Sequence, residues 1–221
     1  MGNETGKTVE ALRAKLTTDH ADQAAHALVA FAEKMPKQTA AAKAELINLL
    51  TSKNAKVAIA AANCLRQVPL GKEAVAPLKH TVLKVDHQPA EPLLKGYCKD
   101  ALIEIVRNQG SGEAEAGAAL VEIHRADKRF ASDVCRLLNI EFQAVKDPAV
   151  AKRFADIALK IADGVKHSTR PFHNMLPLLA EHHEDKQEVA GVMEAIAKEH
   201  GDTRTGRKAK AALRKLESAS K

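Results

Sequence analysis

One apolar pattern recurs along this chain, and few architectures can use it. Val57, Ala60, Ala61, Cys64, Leu65 and Val68 fall on a single helix face, because 3.6 residues per turn brings positions three and four apart onto the same side. Further along, the same pattern reads Leu94, Tyr97, Cys98, Ala101, Leu102 and Ile105. Earlier it reads Ala21, Ala24, Ala25, Leu28, Val29 and Ala32; later, Phe172, Met175, Leu176, Leu179 and Ala180, then Ala209, Ala212, Leu213 and Leu216. A stripe that returns in register marks a chain built from repeated helical units.

Between these stripes lie other helical segments, so the periodicity predicts about twelve helices in six pairs. The pairs are Thr8–Thr17 with His20–Met35, Lys37–Ser52 with Ala55–Val68, and Lys72–Val85 with Ala90–Asn108. They continue as Gly112–Arg125 with Lys128–Val145, Ala149–Ala162 with Thr169–His183, and Lys186–His200 with Thr203–Ser218. First helices begin roughly 30–40 residues apart, the length of a helical-pair repeat. Asn54, Asp127, Asp147 and Asp202 are placed to cap helix starts. Pro36, Pro89 and Pro148 stand at helix starts, where the missing N–H costs nothing. Gly71, Gly164 and Gly201 stand at helix ends. Connections this short make consecutive helices antiparallel neighbours.

Composition agrees. Aromatic residues make up 3% of the chain, with no Trp and a single Tyr, too few for a large sheet protein. The formal net charge is +6. From Gly201 onward seven Lys and Arg stand against Asp202 and Glu217, so the tail alone carries +5 and the body is close to neutral. Three cysteines, Cys64, Cys98 and Cys135, form no close pair, which argues for a reducing compartment and against a thiolate metal site. There is no signal-peptide pattern at the amino terminus and no long apolar run. The expectation is a cytoplasmic chain without membrane contact.

The segment Ala44–Leu83, with Leu46, Leu49 and Leu50 before a polar turn and Val57, Ala60, Ala61 and Leu65 after it, resembles a HEAT repeat and the start of the next. Glu73–Leu78 and Asp147–Val150 are similar to the Pro-containing turn with which such repeats open. Ala58 departs from the family, which has a basic residue there, and Pro92, Pro171 and Pro177 fall in or near second helices. The resemblance implies one HEAT-like, armadillo-type domain over residues 1–221: an all-α, right-handed solenoid of about six antiparallel helix pairs, lined inside by the second helices. A compact helical bundle is the alternative fold.

Residues opposite each stripe are expected on that inner surface. Ile59, Asn63, Arg66, Ile103, Leu137 and Leu178 are the candidate partner-binding residues, with Asp100, Asp133, Asn174 and Glu181 beside them. Apolar groups on that face either pack against neighbouring repeats or meet a partner. The last helix is amphipathic, and Arg204, Arg207, Lys208, Lys210, Arg214 and Lys215 cover its polar side. Those six are candidate anion-binding residues, although a charged face also suits a terminal capping helix.

Nothing in the chain has the spacing of a catalytic or cofactor motif. The densest histidine group is His167, His173, His182 and His183, but adjacent helical residues point about 100° apart and serve one ion poorly. HEAT-like hydroxylases hold iron with several His-Glu dipeptides; this chain has one, His183-Glu184. HEAT-like DNA glycosylases need aromatic stacking groups, which are scarce here. The functional expectation is therefore a protein–protein interaction scaffold, with no enzymatic activity, no cofactor and no metal, whose partner is a protein or peptide. Nucleic-acid or anionic-ligand binding through the last helix is the alternative.

Overall fold

A computed structural model describes residues 39–84, 91–108, 111–165 and 167–219. The first expected pair, Thr8–Thr17 with His20–Met35, lies outside the described residues. Ten α-helices and no strand are found among the described residues. They are α1 (Thr39–Leu49), α2 (Ala55–Leu65), α3 (Lys72–Lys84), α4 (Glu91–Arg107), α5 (Glu113–Ala126), α6 (Lys128–Ala144), α7 (Pro148–Ala162), α8 (Arg170–His182), α9 (Lys186–His200) and α10 (Arg204–Ala219). The described residues are all-α, and no helix among them is long and apolar enough to cross a membrane.

Local chemistry sets the helix limits. The carboxylate or amide oxygens of Asn54, Asp127 and Asp147 accept from the N–H groups of Lys56, Arg129 and Ala149 at 3.0, 2.7 and 2.9 Å. Each satisfies an N–H that the first helical turn leaves without a partner. Asp185 does this twice for α9, taking the N–H groups of Gln187 and Glu188. At α10 the expected cap, Asp202, is displaced by Thr203, whose hydroxyl accepts from Gly206 N. Pro92 and Pro171 fall in the first turns of α4 and α8, where they cost little; Pro77 and Pro177 lie inside α3 and α8.

The described structure divides into two compact units, the boundary falling within α5 between Ala116 and Gly117. In the first unit α2 packs against α1 and α4, α3 packs against α4, and α1 touches α3. In the second, α8 lies between α6 and α10, α9 packs against α7 and α10, and α7 meets both α6 and α8. Second helices thus meet second helices (α2–α4, α6–α8, α8–α10) and first helices meet first (α1–α3, α7–α9), beside contacts of second helices with the first helix that follows them (α6–α7, α8–α9).

The cores form from the expected stripes. Val57, Ala60, Ala61, Cys64, Leu65 and Val68 are all buried, as are Phe172, Met175, Leu176, Leu179 and Ala180. Each large apolar side chain removed from water contributes about 1.5–3 kcal/mol, against at most about 1 kcal/mol for an exposed ion pair. The stripes, not the many surface charges, therefore hold the helices together. Alanines let α2 approach its neighbours closely: Ala58 and Ala62 are buried along with the stripe. Ala58 is 0% exposed, so the basic residue expected from the HEAT resemblance has no room in this fold. Where α9 turns into α10, Gly201 has a φ of +52° and accepts close contact from Gly206. A Cβ at position 206 would sit 2.1 Å from the Gly201 carbonyl oxygen.

Candidate functional site

The candidate inner surface of the first unit is carried by α2 and α4. Asn63, Arg66 and Asp100 come together there as a linked cluster. Arg66 Nε donates to Asn63 Oδ1 at 2.9 Å, and its Nη1 lies 3.4 Å from Asp100 Oδ2. The same guanidinium sits 4.6 Å over the ring of Tyr97, a favourable placement of a cation against the negative face of the ring. Tyr97 is half-buried rather than part of the core stripe, and Ile59 is half-buried beside the cluster.

Ile103 corrects the expected set. It is 3% exposed and belongs to the core. The reason is that α4 meets both α2 and α3. Two neighbours bury a wider arc than one apolar stripe, and Val106, Lys95 and Lys99 are buried on the same helix.

In the second unit the corresponding surface is carried by α6, α8 and α10. Leu137 and Leu178 are half-buried, while Asn174 and Glu181 are exposed. Between α6 and the start of α8 runs a groove of about 360 Å³ lined by Arg136, Asn139, Ile140, Gln143, Arg170 and Asn174, with Pro171 at its edge. Asn139 Nδ2 donates to the Pro171 carbonyl at 2.8 Å and ties the two walls together. Ile140 is 49% exposed, one of two large apolar residues so placed among the described residues. Arg136, Ile140 and Gln143 continue the helical spacing that runs through Asp133 and Leu137, so that signal was present in the sequence. Arg170 and Pro171 join them only through packing of α8 on α6.

The basic helix α10 is partly committed to its own unit. Lys215 Nζ lies 2.9 Å from Glu181 Oε2 on α8, and this pairing holds the Glu181 carboxyl below its usual range. Lys210 Nζ lies 3.1 Å from Asp202 Oδ1, and Arg207 Nη1 donates to the Asp202 carbonyl. Arg204, Lys208 and Arg214 have no ion pair among the described residues. The apolar side of the helix is seated through buried Ala209, Ala212 and Leu216.

Three histidines of the second unit make contacts within the fold. His182 stacks on Phe142 with ring centroids 5.2 Å apart, whereas His183 turns its Nε2 toward Asp156 Oδ1 at 3.2 Å. His183 Nδ1 lies 3.2 Å from Asp185 N and 3.3 Å from the Asp185 carbonyl oxygen. His173 Nε2 lies 2.9 Å from Ser168 Oγ and 3.0 Å from Thr205 Oγ1, joining α8 to α10. Its Nδ1 is buried without a hydrogen-bond partner among the described residues. Burial, reinforced by Arg204 and Lys208, lowers the His173 pKa. No group of three metal-ligating side chains is gathered among the described residues.

The three cysteines are buried. Burial pushes the Cys98 thiol up to about 12 despite the opposing charge of Lys99, and burial alone does the same at Cys135. Thiols in that state are protonated and poor nucleophiles at neutral pH. A second concavity of about 420 Å³ lies between α7 and α9, with Asp156, Asp163, Glu184, Asp185 and Glu188 on its walls and Lys152 paired to Glu184.

No family model matches this chain, and no curated protein matches it significantly. Among solved structures it is similar to the crystal structure of an engineered protein from a structural genomics consortium, at 16% identity and a TM-score of 0.30 over 80% of this chain and 96% of that one.

Proposed function

We propose that this chain is a non-enzymatic binding scaffold: a right-handed, HEAT-like α-solenoid that offers the row of its second helices to a protein or peptide. The helix contacts support the solenoid arrangement, since α2 and α4, α6 and α8, and α8 and α10 pack second helix on second helix in succession within each unit. A compact bundle does not require such a succession. The observation that carries the binding reading is the α6–α8 groove. It sets a half-exposed Ile140 among polar side chains on the row of second helices. Interfaces draw affinity from a few apolar anchors that become desolvated within a polar rim.

Affinity capture from source cells, with and without nuclease, tests this reading. Ile140→Asp is expected to abolish capture of the protein partner while leaving helicity unchanged. Ile103→Asp is unsuitable, because it would place a carboxylate in the core. Capture that survives Ile140→Asp but disappears with nuclease, or with Arg204, Lys208 and Arg214 replaced by Glu, would overturn the scaffold reading. It would favour nucleic-acid binding through α10, the second reading, for which those three unpaired cations speak.

A further inference from the structure

The groove between α6 and α8 has a charge pattern of its own. Arg136 rises from the middle of α6 and Arg170 opens α8, and both line the groove. Both are exposed, and neither has an ion-pair partner among the described residues. Arg204, Lys208 and Arg214 on α10 likewise have no ion pair among the described residues, but several other cations of this unit are engaged. Arg125 donates to the carbonyls of Lys160 and Asp163, Lys186 to those of Ala180 and Glu181, Lys152 pairs with Glu184, and Lys215 pairs with Glu181. No carboxylate lines the groove, whereas five line the concavity between α7 and α9.

Two free guanidiniums facing one cleft favour an anionic occupant, because each presents a planar fork that matches a carboxylate in two parallel hydrogen bonds. The remaining lining groups say which kind of anion. Asn139, Gln143 and Asn174 are amides, able to donate and accept along a polypeptide main chain. Ile140 offers an apolar contact for an uncharged side chain. Phosphates of a nucleic acid would satisfy the arginines, but the groove has no aromatic ring on which a base could stack.

We infer that the α6–α8 groove takes an extended acidic peptide segment, with carboxylates on Arg136 and Arg170 and an apolar side chain on Ile140. The inference rests on the scaffold reading and names the chemistry of its partner.

The test is to pan a display library of short random peptides on the full chain and measure the selected peptides by fluorescence anisotropy. Selected sequences are expected to place Asp or Glu on either side of an apolar residue. Their affinity for the Arg136→Glu/Arg170→Glu variant should fall by at least about tenfold, the loss for a charge pair that is desolvated rather than left at the rim. Arg136→Gln/Arg170→Gln, which removes the charges without reversing them, should fall between. Circular dichroism checks that both variants keep their helix content. If no peptide is enriched, this inference fails, while the scaffold reading stands or falls by the capture experiment. Enriched peptides that are neutral or basic, or that bind the Arg136→Glu/Arg170→Glu variant as well as the parent, overturn the acidic specificity alone. A single-stranded oligonucleotide that binds more tightly than any selected peptide, and loses that binding in the same variant, would assign the groove to nucleic acid instead.

Discussion

His124 and His167 lie with ring centroids 6.4 Å apart, and His124 is 0% exposed with neither ring nitrogen hydrogen-bonded among the described residues. Burial drives the His124 pKa down from 6.5 to about 4, with His167 and Arg125 adding to the effect. An imidazole held neutral in the fold but free to charge in the unfolded chain makes the unfolded state bind more protons. Stability is then full above the ordinary pKa and is lost as pH falls from about 6.5 to about 4. The loss is on the order of 3 kcal/mol at the lower limit. Urea titrations across this range should show a smaller change in midpoint for His124→Leu than for the parent chain. An identical pH dependence in both would mean that His124 is not the group responsible.

The buried thiols give a second expectation. Cys64, Cys98 and Cys135 should resist a thiol reagent in the native protein and react quickly only after denaturation, because reagent access and thiolate formation both require opening. Cys98→Ser should destabilise by about 1–3 kcal/mol, the cost of an unpaired hydroxyl in the core. Rapid native labelling of Cys98 would contradict its placement between α4 and its neighbours.

Two glycines separate backbone cost from packing cost. Gly191 lies within α9 and an added Cβ there would meet nothing within 4 Å. Gly191→Ala should therefore stabilise by about 0.5–1 kcal/mol, through helix propensity and a less flexible unfolded chain. Gly206→Ala should destabilise by about 1–3 kcal/mol, because its Cβ would collide with the Gly201 carbonyl oxygen. Thermal unfolding followed by circular dichroism reads both, and the two shifts should have opposite signs.

The cations of α10 should matter little to stability. Lys215→Ala breaks an exposed pair with Glu181 and should change stability by less than about 1 kcal/mol. Replacing Leu216, which is buried, with Ala should cost about 2–5 kcal/mol. A larger effect from Lys215 than from Leu216 would show that charge, not burial, seats the last helix.

Helix positions were legible in the sequence because their limits are set locally. Asn54, Asp127 and Asp147 cap the turns that follow them, and the apolar stripes give the helix faces. What periodicity cannot supply is the number of neighbours each helix has. It placed Ile103 outward because one stripe implies one buried face, yet α4 is covered from two sides. It placed Tyr97 in the core, whereas the ring lies at the border of the helix and supports Arg66. Of the groove, the α6 residues follow a readable spacing. Arg170 and the carbonyl of Pro171 enter only when α8 packs on α6 and Asn139 reaches across.

Arg125 makes its long-range contacts with main-chain atoms, the carbonyls of Lys160 and Asp163 at the end of α7. Side chains at those two positions can therefore change without disturbing the contact, because any residue supplies the same oxygen. Chain length there cannot. Deleting one residue from α7 turns everything beyond it by about 100° and carries both carbonyls away from the guanidinium. Positions 160 and 163 tolerate many different amino acids in a fixed register, unlike the buried Leu159, Ile161 and Ala162 beside them, and a shortened α7 should lose its hold on α5 even if every remaining residue is unchanged.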